Sequence, residues 1–168
     1  MLVWSIASQK GGVGKTTTVA SLAGWLQKEN LNVLIIDTDP HASLTSYLGF
    51  DYNNIEKSLY DLYTQESFDK ESVQSVITHT NFPNLDIIAS SMTLATIDRK
   101  LSGRSGVGRI LTNALKLIED DYDVVLIDYS LKMVHDLYIL MITAGVVSLL
   151  FKLLKQPVVL GYIVAGVL

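Results

Sequence analysis

Three glycines fall within four positions at Gly11-Gly12-Val13-Gly14, and Lys15-Thr16-Thr17 follow at once. Before them runs Leu2-Val3-Trp4-Ser5-Ile6-Ala7, apolar without strict alternation, the pattern of a strand buried on both faces. After them Val19, Leu22, Ala23 and Leu26 recur at helical spacing, a stripe that ends near Glu29-Asn30. Val33-Leu34-Ile35-Ile36 is a second buried strand, closed by Asp37-Thr38-Asp39-Pro40. Strand, glycine loop, helix and strand in succession make a βαβ unit, and such units build parallel sheets covered by helices. This beginning commits the chain to an α/β architecture.

The remainder fits that architecture as far as residue 128. Residues 43–82 are mostly polar, with short amphipathic helices expected at Ser58–Leu62 and Ser72–Ile77. Leu85-Asp86-Ile87-Ile88-Ala89 reads as a third strand. Ile110, Leu111, Ala114, Leu115 and Ile118 mark one face of a helix, and Val124-Val125-Leu126-Ile127-Asp128 is a fourth strand ending in a carboxylate.

A glycine loop between a strand and a helix lets successive peptide N–H groups converge on a phosphate beside the positive helix N-terminus. Within Gly11, Gly12, Val13, Gly14, Lys15, Thr16 and Thr17, Lys15 is placed to reach β- and γ-phosphates, and the Thr16 hydroxyl to ligate Mg²⁺. Position 9, where an ordinary phosphate loop has glycine, is Gln9, and an additional Lys10 follows it. The carboxyl ends of parallel strands border the ligand crevice, which brings Asp37, Asp39 and Asp128 to the same place. Asp128 is expected to support Mg²⁺, Asp37 to hold a metal-bound water, and Asp39 to orient the attacking water. Each carboxylate also has a plainer reading as a helix cap or turn residue.

With its additional lysine, Lys10-Gly11-Gly12-Val13-Gly14-Lys15-Thr16-Thr17 resembles the deviant Walker A motif of the ParA/MinD family of ATPases. Asp37-Thr38-Asp39-Pro40-His41 is similar to that family's switch segment, and Tyr122 through Asp128 to its Walker B strand. Ser91-Met92 through Arg99-Lys100-Leu101 resembles the ParA-like branch. The resemblance runs from residue 1 to about 128. It implies ATP and Mg²⁺ as cofactors and an ATP-dependent homodimer. In that dimer Lys10 reaches the partner's phosphates while Lys15 binds those of its own subunit. Slow hydrolysis would then time the positioning of plasmid, chromosome or chemotaxis cargo. DNA or cargo attachment would use parts of the family fold beyond this stretch.

Past Asp128 the sequence departs from the family, with Tyr129-Ser130-Leu131-Lys132 where a small residue and two prolines are usual. Residues 1–130 carry a net charge of −6, residues 131–168 one of +2, and 26 of those last 38 are hydrophobic. Leu137 to Phe151 contains no charge, and the apolar stretch continues to Leu154, near the lower length limit of a spanning helix. Gln156-Pro157-Val158-Val159-Leu160-Gly161-Tyr162-Ile163-Val164-Ala165-Gly166 resembles the start of a Kef-type monovalent cation:proton antiporter, without that family's ion-binding carboxylates. Three readings of the tail stand open: a fusion or sequence artefact with its junction near 130–133, a hairpin buried in the domain's own core, or a membrane anchor.

The expectation is therefore a truncated P-loop NTPase-like domain over 1–130, a parallel sheet flanked by helices, followed by a hydrophobic helical segment over 131–168. The chain is read as an ATP-binding ParA-like ATPase, cytoplasmic, with membrane association through 137–168 as an added expectation. The competing reading is a membrane-associated hybrid with an inactive nucleotide site. The chain has no Cys, which removes disulfides and thiolate metal sites. A net −6 over 1–130 gives no general attraction to nucleic acid, although Arg99, Lys100, Arg104 and Arg109 form a modest basic cluster. His41, His79 and His135 have no metal-ligand spacing, and Trp4 and Trp25 are expected in the core.

Overall fold

Apolar side chains on both faces of the central strands set the layering. The computed structural model describes residues 1–8, 12–65, 67–97 and 107–130. Their strands and helices are β1 (Leu2–Ser8), α1 (Lys15–Lys28), β2 (Val33–Asp37), α2 (Ser43–Tyr47), α3 (Leu59–Thr64), α4 (Lys70–Gln74), β3 (Ile77–His79), β4 (Leu85–Ile88), α5 (Val107–Leu117) and β5 (Val124–Ser130), with a 3-10 turn at Met92–Thr96. The sheet order is β1-β5-β2-β4-β3. All neighbours are parallel except β3, which runs antiparallel to β4.

Alternate residues of each strand serve opposite layers. Val33, Ile35, Leu85, Ile87, Val124 and Leu126 face one core, closed by Val19, Ala23 and Leu26 of α1. Leu34, Ile36, Ile88, Val125 and Ile127 face the other, closed by α3, by Val73 of α4, and by Ala114 and Leu115 of α5. Both faces of β2 are fully covered, which is why its sequence is an unbroken apolar run.

Helix α1 stops through a Schellman motif. Asn30 takes the left-handed position (φ 60°). Its N–H donates to Gln27 O at 3.0 Å and the Leu31 N–H to Leu26 O at 3.3 Å. Leu26 and Leu31 then meet in the core, turning the chain into β2.

Several expectations are corrected. Strand β1 is not buried on both faces: Leu2, Val3 and Trp4 are 58%, 46% and 41% exposed. Among the described residues β1 pairs with β5 alone, so it forms a sheet edge. Trp4 and Trp25 are accordingly not core residues, Trp25 being 56% exposed. The helix expected over Ser72–Ile77 is α4 at Lys70–Gln74, and Ile77 instead opens β3. The short strand wins there because Ile77 and Thr78 pair with Ile88 and Ile87. The tail, 131–168, with its expected spanning segment and His135, lies outside the described residues. Among those described, no helix is long and apolar enough to cross a membrane.

Candidate phosphate-binding site

The site begins where β1 ends, at Ser8, and α1 starts, at Lys15. Gly12 and Gly14 have φ of +73° and +86°, and a Cβ built on either meets nothing within 4 Å. Backbone conformation, not crowding, demands glycine here. Among the described residues Gly12, Val13 and Gly14 are exposed. Gly14 caps α1 without a side-chain hydrogen bond, and the first turn of α1 has no acidic residue. The peptide N–H groups of Lys15, Thr16 and Thr17 therefore offer their positive field to an anion. Val13 and Thr17 are exposed on this turn. Gln9, Lys10 and Gly11 lie outside the described residues, as do Arg99, Lys100 and Arg104.

Asp128 lies on β5 between two strands, in register with Ile6 of β1 on one side and Asp37 of β2 on the other. It is fully buried. Lys15 Nζ donates to its Oδ1 at 2.6 Å and Thr16 Oγ1 to its Oδ2 at 2.8 Å. Thr38 fixes the same strand end, its hydroxyl donating to the Asp128 carbonyl at 2.9 Å. Two side chains of the first turn of α1 thus meet at one carboxylate of β5.

Asp37 and Asp39 are placed differently. Asp37 is fully buried, and its carboxylate turns toward the backbone that follows it. Oδ1 accepts the Asp39 N–H at 3.0 Å, while Oδ2 accepts the Thr45 N–H at 2.9 Å and the Thr45 hydroxyl at 2.7 Å. Burial is the largest influence on Asp37 and raises its pKa; the bonds from Thr45 and Asp39 oppose the rise, and the nearby Asp128 charge adds to it. Asp39 is half-buried and caps the turn into α2, accepting the His41 N–H at 3.0 Å and the Ser43 hydroxyl at 3.1 Å. Both carboxylates thus hold the backbone between β2 and α2. Each Asp39 oxygen has one such bond and keeps a second acceptor position for a water.

Thr45 and Ser90 were missed by the sequence reading. Both are fully buried polar side chains. The available signal was position: Ser90 follows Ile87-Ile88-Ala89 much as Asp37 follows its own apolar strand, at the carboxyl edge of the sheet.

The donor set fits a magnesium nucleotide. The open glycine loop and helix N-terminus suit phosphate oxygens, Lys15 supplies a cation, and Thr16 with Asp128 supplies the hard oxygens that Mg²⁺ takes. A separate cavity of about 380 Å³ lies by Asn32, His79, Asp86 and Tyr122. Three of its polar side chains bond one another: Tyr122 Oη donates to Asp86 Oδ2 at 2.7 Å, and His79 Nδ1 is 2.7 Å from Asp86 Oδ1.

Known proteins resemble the chain over most of its length. The model of the AAA domain family matches residues 1–150. The chain is 38% identical over 119 residues to the cell division protein PomZ of Myxococcus xanthus, covering 71% of this chain and 36% of PomZ. It is 35% identical over 124 residues to the sporulation initiation inhibitor protein Soj of Bacillus subtilis, covering 74% and 47% respectively. The crystal structure of cobyrinic acid a,c-diamide synthase from Mycobacterium smegmatis, with bound ATP analog and magnesium, superposes with a TM-score of 0.70 at 32% identity. That match covers 76% of this chain and 50% of the synthase. The chain spans half or less of the length of each of these relatives. The family match takes in residues 131–150 of the tail, and it lends no support to the antiporter resemblance.

Proposed function

The chain belongs to the AAA domain family, with a ParA-type P-loop domain, and from that premise we propose that it binds Mg·ATP at the loop Gly11–Thr17 and hydrolyses it slowly. The observation that carries this reading is the convergence of Lys15 and Thr16 on buried Asp128 beneath an uncapped helix N-terminus. Bound there, the metal would neutralise phosphate charge. The loop N–H groups orient the phosphates, Lys15 draws charge from the β- and γ-oxygens, and Thr16 and Asp128 hold the metal, Asp128 directly or through water. Asp39 positions the attacking water. Lys10 completes charge neutralisation across a homodimer, so hydrolysis waits for dimer closure. The cargo is a large assembly such as a plasmid, chromosome or chemotaxis array, engaged by parts of the family fold beyond residue 128.

Titration with a fluorescent ATP analogue and Mg²⁺ tests the first step. Binding by the unmodified chain and at least about 100-fold weaker binding by Lys15→Ala support it. Equal affinity in both would sink the phosphate-loop assignment. The apolar composition of 131–168 favours a second reading, membrane association. Recovery in a membrane pellet that high salt does not release would support it; release by salt, or a soluble monomer, would remove it.

A further inference from the structure

A chain of buried hydrogen bonds runs from strand β2 to the backbone of Asp39, through residues outside the recognised motifs. Thr45 Oγ1 donates to Asp37 Oδ2 at 2.7 Å and accepts the Ser90 N–H at 3.0 Å. Ser90 Oγ donates to the Asp39 carbonyl at 2.6 Å, and Asp37 Oδ1 accepts the Asp39 N–H at 3.0 Å. Asp39 is thereby gripped at both its N–H and its C=O. Asp37, Thr45 and Ser90 are all fully buried, and each comes from a different element: the end of β2, helix α2, and the segment after β4. Burying three polar side chains is costly unless each is bonded, and here the bonds converge on the half-buried Asp39.

We propose that Asp37, Thr45 and Ser90 form a buried clasp that positions Asp39 for its work on the attacking water. The clasp rests on the ATPase reading above. The Asp39 side chain alone is anchored only to its own turn, through His41 and Ser43. Both lie in the same short segment, so neither fixes that segment to the sheet. Thr45 and Ser90 do. The next carbonyl-to-amide bond, Ala42 N–H to Asp39 O at 2.8 Å, continues the anchoring into the left-handed Ala42 that starts α2.

The test compares Thr45→Val, Thr45→Ser and Ser90→Ala in the full chain by two measurements. In ATP turnover, Thr45→Val and Ser90→Ala should lose about 10- to 100-fold in kcat while nucleotide affinity stays within about twofold, because misplacing a positioned group costs rate, not ground-state binding. Thr45→Ser, which keeps the hydroxyl, should return to within about threefold of the unmodified kcat. In hydrogen exchange, the amides of Asp39, His41 and Ala42 should lose about tenfold in protection in Thr45→Val and Ser90→Ala, with β5 and α1 unchanged. Unaltered kcat in both variants overturns the clasp. Where the unmodified chain shows no turnover, the ATPase reading falls, and exchange alone decides: unaltered protection of those amides overturns the clasp as well.

Discussion

Lys15 Nζ lies 2.6 Å from Asp128 Oδ1, an ion pair between residues 113 apart in sequence, with Asp128 fully buried and Lys15 nearly so. The pair ties the start of α1 to β5 and places a cation under the phosphate loop. Neither partner is well hydrated. Removing one charge leaves the other stranded, whereas removing both leaves little behind.

That asymmetry separates a folding role from a ligand role. Lys15→Ala should destabilise the chain by about 3 kcal/mol, read as a shift in the urea midpoint. Lys15→Met combined with Asp128→Asn should recover most of that loss. The double variant should still fail to bind ATP, since neither the cation nor the carboxylate remains. Recovery of ATP binding along with stability would show that the pair acts on the fold alone.

Asp37 gives a pH dependence of unusual sign. Its carboxyl is held above the ordinary Asp range, chiefly by burial. Between the unfolded value and the raised folded one, the native state binds more protons than the unfolded state, so stability falls as pH rises through that window. Asp121, held low by its hydrogen bond from Lys70, acts oppositely: its stabilisation is present above the unfolded value and is lost as pH falls. Urea midpoints measured from about pH 4 upward should show the Asp37 contribution in the unmodified chain and lose it in Asp37→Asn. An identical slope in both proteins would mean Asp37 titrates as it does unfolded.

Much of this site is legible in the sequence because chemistry and position coincide there. Gly12 and Gly14 are required by left-handed backbone, and Asp128 ends an apolar run whose two faces are both covered. What escaped has physical causes. An apolar run reports burial of its neighbours in the sheet, not its rank in the strand order, so β1 was expected inside and lies at an edge. Strand β3 has three residues, too few for a period-two pattern to stand out from the spacing of Val73, Val76 and Ile77. Helix α2 starts at a left-handed alanine, a conformation no local signal announces. Thr45 and Ser90 look like loop polarity until the sheet edge closes around them.

The turn out of α1 offers a local test of the fold. Asn30 occupies the left-handed C′ position, where an alanine pays for its Cβ and glycine does not. Asn30→Ala should lower stability by about 1 kcal/mol, and Asn30→Gly should match or exceed the unmodified chain. Thermal or urea unfolding of the three proteins ranks them. Equal stability for the alanine variant would contradict the Schellman assignment.

Lys10 is proposed to act across a dimer, and a mixing experiment isolates that geometry from any effect within one subunit. Lys10→Ala keeps its own phosphate loop but offers no lysine to its partner. Lys15→Gln cannot hold ATP well, yet still presents Lys10; its amide replaces a donor to buried Asp128 but not the charge, so its urea midpoint is measured before mixing. Each variant alone should be inactive. Mixed in equal amounts with ATP and Mg²⁺, random pairing under two-fold symmetry puts half the dimers in mixed form, each with one complete site. Turnover should then rise from zero to at most about a quarter of the unmodified level, less to the extent that the ATP-poor Lys15→Gln subunit pairs weakly. A lysine acting within its own subunit gives no recovery on mixing, because no subunit in the mixture carries both residues.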